Sequence, residues 1–121
     1  MTHIFNACLS GNLNLVKYLV DHGLDINKED DKGFTPLFNA CLEGHITIVK
    51  YLLELGANIN KEENNGHTPL MYACQNGHEN VVKYLVERGA NLYKNSNYGC
   101  TALKEACLSD NLNLIDRKSV V

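Results

Sequence analysis

Residues 68–78 read TPLMYACQNGH, and residues 35–45 read TPLFNACLEGH. Thr35 and Thr68, Ala40 and Ala73, Cys41 and Cys74, and Gly44 and Gly77 stand 33 residues apart. Extending the register outward brings in Thr2 and Thr101, Ala7 and Ala106, Cys8 and Cys107, and Gly11, with Asp110 in the fourth glycine slot. Gly23, Gly56 and Gly89 recur on the same period, as do Gly33, Gly66 and Gly99. So many independent positions in step identify an internal repeat rather than a chance match.

Each unit reads as two short helices and a loop. Thr35 suits an N-cap, its hydroxyl placed to accept from a free backbone N–H. Pro36 suits the first helical position, where no N–H is needed. Leu37, Ala40 and Cys41 recur at helical spacing and mark an inward face, and Gly44 ends the helix. A second helix carries Ile48, Val49, Leu52 and Leu53, with Gly56 just past its end. The third unit repeats this with Val81, Val82, Leu85, Val86 and Gly89. Polar stretches join the units: NKEDDKG at 27–33, NKEENNG at 60–66 and YKNSNYG at 93–99. Helices of about 8–10 residues fall short of the ~12–15 needed for marginal stability alone. A single unit cannot bury its apolar face, and stacked neighbours can.

TPLMYACQNGHENVVKYLVERGAN and TPLFNACLEGHITIVKYLLELGANIN closely resemble the ankyrin repeat, over nearly the whole chain. The resemblance implies an all-α solenoid of stacked helix-turn-helix units joined by β-hairpin-like loops. It implies one domain, with units at about 1–33, 34–66, 67–99 and 100–121. It also implies non-catalytic protein binding through the hairpin tips and the concave side of the first helices. Carried over position by position, the partner-facing residues are Asp31, Lys32 and Phe34, then Asn64, Asn65 and His67, then Asn97, Tyr98 and Cys100. The first helices add Asn39, Leu42 and Glu43, then Tyr72, Gln75 and Asn76, then Glu105, Leu108 and Ser109. Asn27 and Asn60 occupy the loop slot that asparaginyl hydroxylases modify in similar repeats, which makes hydroxylation an alternative role. A targeting fragment of a larger multidomain protein is another.

The chain departs from the family pattern in places. Phe38, Met71 and Lys104 replace the usual histidine after Thr-Pro-Leu. The last unit has Ala102 for proline, and Lys118 falls in a core slot where it cannot be buried unpaired. That unit is either a polar cap or a frayed end. The final Ser119-Val120-Val121 resembles a C-terminal PDZ ligand.

Cys41 and His45, like Cys74 and His78, have metal-ligand spacing on a helix. A tetrahedral site needs four converging ligands. Cys8 and Cys107 are instead followed, four residues on, by Asn12 and Asn111. Stacked units hold equivalent atoms about 8–10 Å apart, beyond the ~7 Å limit for a disulfide. The cysteines therefore read as small hydrophobes, with no metal and no cofactor. Cys100 reads as exposed on a hairpin edge.

Composition bounds the remaining classes. The 121 residues carry a formal net charge of −3 and are 45% hydrophobic. With a pI near 5.9, they have no nucleic-acid footprint. No apolar run approaches the ~18 residues of a membrane span. No basic n-region precedes an apolar stretch at Met1, so an intracellular, cytoplasmic monomer is expected. Glu29, Asp30, Asp31, Glu62 and Glu63 make the loops acidic, which suits a partner with a basic patch. The lysine series Lys17/Lys50/Lys83 and Lys28/Lys61/Lys94 read as solvated faces. No Ser/His/Asp set, carboxylate pair or phosphate loop points to catalysis.

Overall fold

A computed structural model describes residues 3–97, 99 and 101. The described residues form six helices and no strand. These are α1 (His3–Ser10), α2 (Leu13–Asp21), α3 (Pro36–Glu43), α4 (Ile46–Glu54), α5 (Pro69–Gln75) and α6 (Glu79–Glu87). They pair as α1/α2, α3/α4 and α5/α6. The inner helices α1, α3 and α5 pack in sequence, and the outer helices α2, α4 and α6 lie behind them in the same order.

The periodic apolar residues build one continuous core. Ile4, Ala7, Cys8, Leu37, Ala40, Cys41, Leu70, Ala73 and Cys74 supply it from the inner helices. Val16, Ile48, Val49, Leu52, Val81, Val82 and Leu85 supply it from the outer ones. Phe38 and Met71, in the slot of the family's histidine, are also fully buried. None of these six helices exceeds 9 residues, so each depends on its neighbours for burial.

Capping follows the sequence with one difference. Thr68 accepts a bond from Met71 N–H. Thr35, in the same extended conformation, makes no such side-chain bond, although in both units the N–H three residues on also donates to the threonine main-chain carbonyl. Gly44 closes α3 in the left-handed region at φ 76°.

The loops turn tightly without forming strands. Asp30 N–H donates to the Phe34 carbonyl, and Glu63 N–H to that of His67. Each loop is also stitched to the next: Asn64 N–H donates to Lys32 O, and Asn97 N–H to Asn65 O. These bonds tie successive loops together along one edge.

Candidate functional site: the aromatic hairpin edge

The site grows from Glu63. Its side chain is 3% exposed, although the loop around it is polar. One carboxylate oxygen accepts from Asn65 N–H at 2.7 Å and His67 N–H at 2.8 Å. The other accepts from the Tyr72 hydroxyl at 3.0 Å. A buried carboxylate is tolerable only when its oxygens are met in this way. Asp30, 33 residues earlier, does the same with Lys32 and Phe34 N–H. Glutamate is one carbon longer, and this Glu63 reaches from its loop to Tyr72 on α5, the first helix of the following unit. It thereby anchors the hydroxyl of Tyr72, whose ring also packs against Phe34, Phe38 and His67.

Around that anchor lies an aromatic cluster. The Phe34 ring is 5.1 Å from Phe38 and 5.5 Å from Tyr72. Tyr72 is 5.4 Å from His67 and 6.0 Å, edge-on, from Phe38. These separations are those of mutually attractive tilted and edge-to-face rings. Phe38 is buried, whereas Phe34, His67 and Tyr72 are half-buried and form the accessible part. The cluster spans two units, joining the loop before α3 to the loop and first turn of the next pair.

The other expected contact residues divide. Asp31, Lys32, Glu43, Asn64, Asn65, Gln75, Asn76 and Asn97 are exposed, and Leu42 is half-buried. Several of them also tie units together. Asn64 Nδ2 donates to Asp31 O, Asn97 Nδ2 to Asn64 O, and Asn76 Nδ2 to Leu42 O. Asn39 must be corrected: it is only 5% exposed. Its Nδ2 donates to the Phe5 carbonyl of the preceding unit, so stacking covers a slot expected to face solvent. Tyr98, Cys100, Glu105, Leu108 and Ser109, and the questions of the last unit and tail, lie outside the described residues. Asn27 and Asn60 are exposed, and their Oδ1 atoms accept from Asn58 N–H and Asn91 N–H of the following unit.

The histidines that raised the metal question have structural partners. His45 Nε2–H donates to Leu9 O at 2.8 Å, and His78 Nε2–H to Leu42 O at 2.7 Å. Cys8, Cys41 and Cys74 are buried. Burial raises the Cys8 thiol to about 12 and pushes Cys41 higher still, with Cys8 adding to the effect on Cys41.

The lysine series also join units. Lys61 pairs with Glu29 at 3.2 Å, and Lys94 with Glu62 at 3.1 Å. Lys17 lies 5.6 Å over the Tyr51 ring, and Lys50 lies 5.5 Å over Tyr84. A single unit gives no sign of these contacts. Their signal is the constancy of lysine, glutamate and tyrosine across the register.

Stacked helix pairs with left-handed glycines, back-reaching histidines and stitched loops define a repeat solenoid. The comparison with known families agrees. "Ankyrin repeats (3 copies)" matches residues 1–63 and again residues 56–117. The chain belongs to the ankyrin-repeat family. No curated protein matches it. Ankyrin repeats are generally protein–protein interaction modules and generally non-catalytic. Among the described residues, no helix is long and apolar enough to cross a membrane.

Proposed function

We propose that this chain is a binding module that holds a protein partner on the edge formed by Phe34, His67 and Tyr72. Asp31, Lys32, Asn64 and Asn65 form the polar rim of this contact. One observation carries the reading. Three half-buried rings are held on a fixed frame by a buried carboxylate and by loop-to-loop bonds. Rigid aromatic groups lose little entropy on binding and are over-represented among residues that dominate interface energy.

Charge plays a smaller part than the acidic loop sequence suggests. Glu29 and Glu62 are paired with lysines. Asp30 and Glu63 face backbone N–H groups. Asp31 is the exposed loop acid left to favour a basic patch on the partner.

The test is affinity capture from host lysate with wild type and a Phe34→Ala/His67→Ala variant, the variant first shown to be folded by circular dichroism. A protein retained by wild type and lost by the variant supports the reading. Identical retention by both places the contact elsewhere.

A further inference from the structure

Two lysines of the outer helices have no ionic partner inside the fold. On the loops, Lys61 and Lys94 each hold a glutamate of the preceding loop. Lys50 and Lys83 are exposed instead, and neither is ion-paired among the described residues. Lys50 Nζ lies 5.5 Å over the Tyr84 ring. The Lys83 side chain makes no hydrogen bond, ion pair or ring contact among the described residues. Both line an open groove of about 300 Å³ between α4 and α6. Half-buried Ile46 and Tyr84 give the groove its apolar surface, and Asn80 and Glu87 complete the lining.

The groove is richer in positive charge than its counterpart one unit earlier. Arg88 Cζ is 5.6 Å from the centre of the Tyr84 ring, so this ring has two cations against it. Tyr51 carries Lys17, but the Arg88 slot of its unit is filled by Leu55. Lys50, Lys83 and Arg88 outweigh Glu87, in a chain whose formal net charge is −3. An ammonium held over a ring has already given up part of its rotamer freedom and keeps its N–H donors. A carboxylate supplies both the opposite charge and the acceptor. The shape of the site selects among anionic partners. Glu79, Lys83 and Glu87 stand one turn apart on α6 and are all exposed, so a flat anionic surface meeting Lys83 would also meet both glutamates. Glu79 is outside the groove lining, and a narrow segment lying between the helices avoids it.

We infer that this groove docks an acidic segment of a partner protein, with an apolar side chain against Ile46 and Tyr84 and carboxylates at Lys50 and Lys83. The contact uses none of the residues of the aromatic edge, so either can fail without the other.

The probe is the peptide acetyl-Glu-Glu-Leu-Glu-Glu-amide, titrated into the full chain and followed by amide chemical shifts at low salt. Saturable shifts are expected at Ile46, Lys50, Asn80 and Tyr84. Lys83→Gln should raise Kd about three- to fivefold, the loss of one exposed charge pair. Glu87→Gln removes a repelling charge and should lower Kd. Lys28→Gln, which removes an exposed lysine outside the groove, should leave it unchanged. Absence of saturable shifts up to about 1 mM peptide would overturn the inference. So would equal effects of Lys83→Gln and Lys28→Gln, or equal binding of the matching peptide with glutamine in place of glutamate. Flotation of the chain with phosphatidylserine vesicles, without a response to the peptide, would assign the lysines to a lipid surface and also overturn it.

Discussion

Cys8 and Cys41 illustrate how burial sets chemistry at the residue scale. The thiolate would lose its hydration in the core, so both remain neutral thiols. Their ordinary value of 9.0 is raised to about 12 for Cys8 and further for Cys41. Below pH 9 both folded and unfolded chains hold the protons, and the thiols add no pH dependence. From pH 9 upward the unfolded chain releases protons that the folded chain keeps, so stability falls until about pH 12. Urea midpoints measured from pH 8 to 11 should decline, and a Cys8→Ala/Cys41→Ala variant should decline less steeply. Parallel curves would show that other groups cause the loss. At neutral pH, Cys74→Ala should change stability by less than ~1.5 kcal/mol, with a melting temperature indifferent to zinc. Glu63 is the opposite case, a buried charge that is fully engaged. Glu63→Ala leaves two N–H groups and a phenol without their acceptor and should cost about 2–3 kcal/mol by urea unfolding. Tyr72→Phe removes one of those bonds and should cost about 1.5 kcal/mol. A cost below about 0.5 kcal/mol for Glu63→Ala would mean that water replaces the carboxylate readily.

Two glycines with similar backbone angles have different burdens at the scale of the element. Gly44 has φ +76°, and a Cβ there would lie 2.6 Å from the His78 ring. Gly56 has φ +98° with nothing within 4 Å of its would-be Cβ. Gly56→Ala should therefore cost about 1–2 kcal/mol from backbone strain. Gly44→Ala should cost clearly more, because it also displaces the histidine that bonds Leu42. Equal costs by thermal melting would show that the ring moves aside freely. This contrast also marks what the sequence discloses. The helices, their glycine ends and the buried Leu37, Ala40 and Cys41 were legible, because they obey local spacing rules. Asn39 was misplaced because its burial depends on the unit ahead of it. The Lys17–Tyr51 and Lys61–Glu29 contacts were read as open surface for the same reason. Of the candidate site, Phe34, His67 and Tyr72 were each singled out. That Glu63 holds Tyr72 in place was not, since a loop glutamate ordinarily faces water.

At the scale of the whole molecule, the three described helix pairs form a one-dimensional stack, in which each is stabilised chiefly by its neighbours. Its junctions repeat the same devices: a histidine to the preceding helix carbonyl, a lysine over the next tyrosine, and asparagines bridging the loops. Such a stack should not open uniformly. The α3/α4 pair has a packed pair on each side, whereas α2 presents Leu15 and Tyr18 to solvent. Native-state hydrogen exchange, resolved by residue, tests this account most directly. The account predicts the strongest protection in α3 and α4 and weaker protection in α2. It also predicts that His78→Ala weakens protection in α3 and α4 together with α5 and α6. Protection that is equal in all three pairs, or a loss in His78→Ala confined to its own pair, would contradict it.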